Sequence, residues 1–179
     1  MAVTFVRHTT PAIAPDVCYG RSDLDLAASF PEEFDAVAAA MPDADRIVSS
    51  PLRRCRRLAE HLSGLTGRPL AFDQRLIEMD FGAWERRPWS DIPQAELDAW
   101  VNDFLNARPH GGESVAALRA RSLAAVADVK AQGGRTLIVT HSGVIKCVFA
   151  KGDAADDFKT NVPFGGVIAL STHSSGDAP

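Results

Sequence analysis

Residues 133–143 read Gly-Gly-Arg-Thr-Leu-Ile-Val-Thr-His-Ser-Gly. The two glycines are a turn signal, and the largely β-branched run after them predicts a buried strand over 136–140. His141 comes directly after that strand. Ligands bind beyond the carboxyl ends of the strands in an open parallel sheet, so a histidine at this point marks a candidate site.

The same alternation of short apolar runs and longer helical patterns continues along the chain. It predicts an α/β domain with a mostly parallel sheet over residues 1–171, followed by a polar, disordered tail over 172–179. The other strands are predicted at 3–6, 46–49, 70–73 and 167–171, the last of them at a sheet edge. Helices are predicted at 31–41, 52–65, 94–106, 114–130 and 144–149.

Composition narrows the class of protein. The chain has 179 residues and a formal net charge of −4, which fits one domain and disfavours a large nucleic-acid face. No apolar run is long enough to span a membrane, and the first residues lack the features of a signal peptide. Three cysteines without a Cys-x-x-Cys disfavour a disulfide framework or a zinc knuckle. We therefore expect a cytoplasmic protein that binds neither nucleic acid nor a membrane.

Two other predicted strands also lead into cationic groups. The first runs into Arg7 and His8, and the second leads into a helix that carries the run Arg53-Arg54-Cys55-Arg56-Arg57. At 100° per residue, Arg54 falls at the edge of the apolar arc of this helix, and the other three arginines fall on its solvent face. The arc comprises Cys55, Leu58, Ala59, Leu62 and Leu65. Arg54 is therefore the arginine of the run that we expect to bind a ligand.

Arginines and histidines that converge on strand ends suit an anion with several equatorial oxygens. Phosphate is the obvious choice, because a guanidinium group binds it bidentately. Neither a Gly-x-x-x-x-Gly-Lys-Ser/Thr loop nor a Gly-x-Gly-x-x-Gly loop is present, which disfavours nucleotide and dinucleotide sites. The histidines lack metal-ligand spacing, and the nearby arginines would repel a cation. We expect neither a cofactor nor a metal.

Five blocks of sequence resemble the histidine phosphatase (phosphoglycerate mutase-like) superfamily, and they appear in the order found in that family. The blocks are Arg7-His8-Thr9, Ser49-Ser50-Pro51-Leu52-Arg53-Arg54, Leu76-Ile77-Glu78-Met79-Asp80-Phe81-Gly82, Gly111-Gly112-Glu113-Ser114 and Thr140-His141-Ser142-Gly143. The resemblance covers residues 3 to about 171 and implies a single-domain, three-layer α/β/α fold, with helices on both faces of the sheet.

The resemblance also implies a chemistry, that of a phosphomonoesterase with a phosphohistidine intermediate. By the resemblance, His8 would be the nucleophile, and Glu78 would protonate the leaving oxygen and then activate water. His141 would complete the catalytic set. The residues that would bind the phosphoryl oxygens are Arg7, Arg54, His141 and Ser142, the last through its backbone amide. Both roles make physical sense, since covalent catalysis splits one hard displacement into two and cations stabilise the charged transition state.

This sequence departs from the family's usual pattern at two loops. Thr9 stands where a glycine usually follows the first histidine, and Pro11 and Pro15 lie in the segment after it. Ser142 stands where glycine is more usual after the second histidine. These departures bear on the path of the two loops, whereas the pocket residues themselves are intact.

The segment Cys18-Tyr19-Gly20-Arg21-Ser22-Asp23-Leu24-Asp25-Leu26 looks most like the α-ribazole phosphatase branch. The resemblance therefore implies hydrolysis of α-ribazole-5′-phosphate in cobalamin nucleotide-loop assembly, with Tyr19, Gly20 and Arg21 as substrate-binding residues. Three alternatives remain. They are another small-molecule phosphatase (fructose-bisphosphatase-like or of broad specificity), a phosphoglycerate mutase, and a protein that binds a phosphorylated ligand without turnover.

Overall fold

The sheet has five strands in the computed structural model, which describes residues 2–170. The strands are β1 (Ala2–Arg7), β2 (Arg46–Ser49), β3 (Leu70–Phe72), β4 (Arg135–Thr140) and β5 (Val167–Leu170). Their order is β3-β2-β4-β1-β5. The first four are parallel, and β5 pairs antiparallel with β1 at the edge. The mostly parallel sheet and the edge position of its last strand are both as the sequence predicts.

In the part of the chain that the structure describes, five α-helices connect or cover the strands. They are α1 (Phe30–Ala40), α2 (Arg53–Thr66), α3 (Gln94–Asn102), α4 (Val115–Ala131) and α5 (Ser142–Phe149). Short 3₁₀ helices occur at Gln74–Leu76, Gly82–Trp84, Trp89–Asp91 and Ala155–Phe158. Within residues 2–170, no helix combines the length and the apolar character that crossing a bilayer requires.

The two faces of the sheet carry separate cores, because successive side chains on a strand point to opposite sides. Phe5 of β1 and Ile138 of β4 pack with residues of α4 and α5. Val6 and Val139, one position further along the same strands, pack with residues of α1 and α2. The result is the three-layer α/β/α architecture, and strands buried on both faces explain the near-continuous apolar runs in the sequence.

Most element boundaries lie within two residues of the sequence predictions, and two of the differences have a structural cause. Helix α3 ends at Asn102 instead of residue 106, because Phe104 and Leu105 leave the helical path to pack against the core beside α4. The Leu105 carbonyl there accepts a hydrogen bond from the Ala116 amide at 2.9 Å. Strand β3 ends one residue early, because the Asp73 carboxylate turns back to accept the Arg75 amide at 2.8 Å. The predicted tail, 172–179, lies outside the described residues.

The predicted apolar arc of α2 is correct except at its last member. Cys55, Leu58, Ala59 and Leu62 are fully buried against the sheet, whereas Leu65 is 62% exposed. Leu65 lies in the final turn of the helix, beyond Leu62, the last α2 residue in that core cluster. The helical angle thus predicts which face of α2 a side chain lies on. Whether that side chain is buried depends on how far the sheet extends along the helix.

This difference predicts unequal stability losses along one helix. Leu58→Ala should lower the free energy of unfolding by about 2–5 kcal/mol, because it removes methyl groups from a closed core and leaves a cavity. Leu65→Ala, the matched exposed control, should change it by less than about 0.5 kcal/mol. Urea unfolding followed by circular dichroism measures both. Similar losses in the two variants would contradict the burial pattern of α2.

Candidate active site

Three adjacent strands deliver polar residues to one edge of the sheet. His8 follows β1, Ser50 follows β2 and His141 follows β4, and these strands are neighbours in the order β2-β4-β1. The His8 and His141 rings are 5.1 Å apart between centroids and nearly fully buried. Burying two imidazole rings costs free energy, because their polar atoms lose contact with water. Their position at this edge therefore indicates a functional role and not packing alone.

The hydrogen bonds of His8 determine which ring nitrogen carries the proton. Its Nδ1 lies 2.6 Å from the Thr9 carbonyl oxygen, which can only accept, so Nδ1 is the protonated nitrogen. Arg54 donates its Nε–H to His8 Nε2 at 3.3 Å. Nε2 therefore carries the lone pair. Burial, followed by the charge of Arg54, holds the pKa of His8 well below its ordinary value, which keeps the ring neutral and nucleophilic.

Arg54 lies in the first turn of α2 and is completely buried. Besides His8, it donates to the carbonyl oxygens of Gly20 at 2.6 Å and Ser22 at 2.8 Å. The other three arginines of the run are exposed. The structure thus places Arg54 beside His8, on the buried side of α2 that the helical angle predicts.

Arg7, the last residue of β1, lies against the same cavity. Its Nη1 donates to the Val162 carbonyl at 2.8 Å, and its guanidinium stacks on the Phe164 ring at 3.9 Å from the centroid. Its buried Nε has no hydrogen-bond partner among residues 2–170. Arg7 is therefore held rigidly and retains donor capacity for an incoming anion.

His141 is fixed by neighbours that the sequence analysis did not single out for this role. Its Nε2 lies 2.8 Å from Ser50 Oγ and 3.4 Å from the sulfur of Cys55, both buried. Burial, and then the charge of Arg54, lowers the pKa of His141 well below its ordinary value. In the protein without a bound anion, both histidines of the site are therefore neutral at pH 7.

Glu78 lies on an irregular segment that faces the same cavity. Its Oε2 accepts the Gly143 amide at 2.9 Å, and its Oε1 accepts the Met79 amide at 3.0 Å. A Cβ at Gly143 would lie 2.3 Å from Oε1, so a larger residue there would displace the carboxyl group of Glu78 from this position. The carboxylate is thus held beside the helix that follows His141, and 8% of the residue is exposed.

The cavity itself has a volume of about 420 Å³ and is walled mainly by aromatic and aliphatic side chains. Its polar residues are Arg7, His8, Tyr19, Glu78, Ser142 and Lys146. Its aromatic residues are Tyr19, Phe81, Trp89, Trp100, Phe104 and Phe158. A volume and lining of this kind suit a small organic ligand, with the polar groups at one end to orient it.

The three candidate substrate-binding residues have different positions. Tyr19 lines the cavity, and the Arg54 guanidinium lies 5.4 Å from the centroid of its ring. Gly20 contributes its carbonyl to Arg54, and a Cβ there would collide with the Met79 carbonyl oxygen. Arg21 is exposed, contacts Asp80 at 3.4 Å and is not among the residues that line the cavity. The structure thus gives Arg21 no contact with the site.

Residues 3–164 match the family model of the histidine phosphatase superfamily, branch 1. The chain belongs to the histidine phosphatase superfamily. This match confirms the resemblance noted in the sequence at the level of family and fold. The members of the superfamily are phosphatases and mutases.

Relatives in the superfamily have different substrates in their names. The chain is 33% identical over 157 residues to the probable phosphoglycerate mutase GpmB of Salmonella paratyphi C, covering 83% of this chain and 73% of that protein. It is similar to the mycobacterial glucosyl-3-phosphoglycerate phosphatase, with 27% identity, 97% and 91% coverage and a TM-score of 0.83. It is also similar to the α-ribazole phosphatase of Shigella flexneri, with 25% identity, coverage of 97% of this chain and 92% of that chain, and a TM-score of 0.84.

The loops that depart from the superfamily pattern still deliver their residues to the site. Thr9 is completely buried, and its carbonyl orients the His8 ring, a role that a main-chain atom fills whatever the side chain. Pro11 forms an isolated antiparallel bridge with Leu26. Ser142 begins α5 and lines the cavity. The two loops thus bring His8 and Ser142 to the cavity although their residue types depart from the usual pattern.

The contrast between the buried and exposed arginines of α2 predicts unequal losses of activity. Arg54→Ala should lower kcat/KM for nitrophenyl phosphate by about 10²-fold or more, as is typical when a donor to a charged transition state is removed. Arg57→Ala, the control, removes an exposed charge 3.9 Å from Glu60 and should change kcat/KM less than about threefold. Steady-state kinetics measures both, and equal losses would contradict the assignment of Arg54.

Proposed function

We propose that the protein is a cytoplasmic phosphomonoesterase that forms a phosphohistidine on Nε2 of His8. The observation that carries the proposal is the unprotonated Nε2 of a buried, neutral His8, placed on the same cavity as Arg7 and Glu78. A neutral imidazole is a nucleophile, and the buried cations around it favour a phosphoryl group as its target.

In the first step, Nε2 attacks phosphorus in line with the ester oxygen, as the Nε–H of Arg54 leaves Nε2 for a phosphoryl oxygen. The N–P bond forms as the P–O bond breaks, the electron pair of that bond goes to the leaving oxygen, and Glu78 donates a proton to it. Nδ1–H of the nascent cationic ring stays bonded to the Thr9 carbonyl, which disperses the new charge. Arg7, Arg54 and His141 bind the phosphoryl oxygens.

In the second step, water attacks phosphorus and the N–P bond breaks. Glu78, now a carboxylate, takes a proton from that water, so the acid of the first step is the base of the second. Inorganic phosphate leaves, and His8 is again neutral. The two guanidinium groups supply the electrostatic stabilisation that a divalent ion provides in other phosphatases, and we therefore propose that the reaction needs no metal.

The cavity wall supports α-ribazole-5′-phosphate as the substrate. Its leaving group is a ribose that carries a planar benzimidazole base, and the wall beyond Glu78 offers aromatic faces at Phe81, Trp89 and Trp100 on which such a ring can stack. The likeness to the Shigella enzyme agrees with this assignment. The cellular role proposed here is accordingly a step of cobalamin nucleotide-loop assembly.

Lys146 favours a second candidate, a phosphatase for a substrate with a second anionic group. This half-buried lysine lines the cavity, and within residues 2–170 its ammonium has neither an ion pair nor a hydrogen bond to a side chain. A carboxylate or second phosphate on the leaving group would pair with it. The relatives named for phosphoglycerate or its glucosyl derivative agree with this alternative, and a fructose-bisphosphatase-like substrate belongs to the same class.

A substrate panel tests the proposal. The wild-type protein should hydrolyse α-ribazole-5′-phosphate with a kcat/KM at least about tenfold above those for 3-phosphoglycerate and fructose 1,6-bisphosphate. The reason is that only the first substrate carries an aromatic ring that can stack on the cavity wall. Activity should be unchanged by EDTA. Labelled substrate quenched in base should leave an acid-labile, base-stable phosphoryl adduct that His8→Ala lacks.

The panel also separates the alternatives. A preference for 3-phosphoglycerate or the bisphosphate that Lys146→Met removes would select the second candidate. Isomerisation of phosphoglycerate without release of phosphate would indicate a mutase. Loss of activity in EDTA with recovery on magnesium would contradict a metal-free mechanism, and an adduct that persists in His8→Ala would place the nucleophile elsewhere.

A separate prediction concerns the proton that Glu78 is proposed to donate. An alkoxide departs poorly unless protonated, whereas nitrophenolate departs readily without help. Glu78→Gln keeps the size of the side chain and should slow single-turnover cleavage of an alkyl phosphate by about 10²–10⁴-fold. The nitrophenol burst from nitrophenyl phosphate should slow much less. Equal slowing of both reactions would show that Glu78 is not the acid.

A further inference from the structure

Glu78 is placed by a segment that has no regular secondary structure. Residues 77–81 lie between two 3₁₀ helices and belong to no strand, so no backbone ladder fixes them. The Thr140 hydroxyl donates to the Leu76 carbonyl at 2.8 Å, and the Glu113 amide donates to the Asp80 carbonyl at 2.8 Å. The carbonyls between these two points need other donors.

Arg121 of α4 supplies donors to two of these carbonyls and to that of Arg75. Its Nη1 donates to the carbonyl oxygens of Arg75 at 2.7 Å and Ile77 at 2.5 Å. Its Nη2 donates to the carbonyl oxygen of Glu78 itself at 3.1 Å. The guanidinium thus binds three carbonyls of the segment that ends at the proposed acid.

Glu113 orients this guanidinium. Its two carboxylate oxygens accept Nε–H at 2.7 Å and Nη2–H at 2.8 Å, so the pair is bidentate. With the three carbonyls, all five N–H donors of Arg121 are used. The two side chains are only 21% and 18% exposed, and their charges offset each other. The pair therefore acts on Glu78 mainly through position.

We infer that Arg121, held by Glu113, is the positioning residue for the general acid. This inference rests on the role proposed for Glu78. Arg121 does not line the cavity, so it touches neither substrate nor the reacting phosphorus. It fixes the main chain of Glu78 at the distance from Gly143 that presents the carboxyl group to the leaving oxygen. Proton transfer needs such placement, because its rate depends on hydrogen-bond reach.

Lysine cannot replace this arginine. An ammonium group has three donors around one nitrogen, whereas the observed contacts need a planar fork that reaches a carboxylate on one side and three carbonyls on the other. Arg121→Lys keeps the charge and so separates a positioning role from a purely electrostatic one.

The test compares leaving groups in wild type, Arg121→Lys, Arg121→Gln and Glu78→Gln. Each preparation is assayed for single-turnover cleavage of an alkyl phosphate and for the nitrophenol burst from nitrophenyl phosphate. Both Arg121 variants should slow alkyl cleavage about tenfold or more and the aryl burst less than about threefold, because only the first reaction requires the positioned proton. The ratio of the two rates does not depend on the fraction of folded enzyme.

Arg46 provides a matched control. Its guanidinium also bonds main-chain carbonyls, those of Val129 at 3.1 Å and Gly133 at 2.7 Å, but at the opposite end of the sheet. Arg46→Gln should lower thermal stability and leave the ratio of alkyl to aryl rates unchanged. If Arg121→Gln does not fold, Glu113→Gln serves as the second variant and should shift the ratio in the same direction by a smaller factor.

The outcomes distinguish this inference from the function on which it rests. If Glu78→Gln changes the ratio and the Arg121 variants do not, the inference is wrong and the role of Glu78 stands. Rescue of the ratio by Arg121→Lys would also overturn it, since charge alone would then suffice. An unchanged ratio in Glu78→Gln would reject the proposed acid and the inference with it.

Discussion

The hydrogen bond from Arg54 to Nε2 of His8 joins a fully buried cation to an uncharged ring. The other partners of Arg54 are two carbonyl oxygens, and within residues 2–170 it makes no ion pair. Removing a charge from water costs several kcal/mol, and carbonyl dipoles recover only part of that cost. Arg54 therefore brings to the site a positive charge that no ion pair within those residues compensates. A phosphoryl group supplies the missing negative charge, which gives the pocket its proposed selectivity.

The same charge adds to the effect of burial on the two histidines. Burial is the larger cause of the lowered pKa of both His8 and His141, and the charge of Arg54 lowers both further. His8 consequently keeps its lone pair for attack, and His141 is free to gain a proton when an anion arrives. In the proposed reaction, Arg54 thus links phosphate binding to activation of His8, because one cation acts on the phosphoryl oxygens and on the attacking ring.

Arg54 also shapes the loop that leads to the cavity. It takes the carbonyls of Gly20 and Ser22, while the Glu85 carboxylate accepts the amides of Gly20, Arg21 and Ser22. The arginine therefore binds carbonyl groups and the glutamate binds amide groups of the same segment, residues 20–22. These bonds fix the segment next to Tyr19, which lies in the cavity wall. This explains why Gly20 reaches Arg54 through its main-chain carbonyl, whereas Arg21 bonds Glu85 through its amide and keeps its side chain at the surface.

Periodic patterns in the sequence were sufficient to predict the sheet, the strand ends that carry His8 and His141, and the choice of Arg54 among four arginines. Side chains repeat every two residues in a strand and about every 3.6 in a helix, so their faces follow from spacing alone. The end of α3, the exposure of Leu65 and the cavity wall had no such signal. Phe81, Trp89, Lys146 and Arg121 come from irregular segments and separate helices. Only tertiary packing brings them together, because contacts between residues distant in the chain follow no local period.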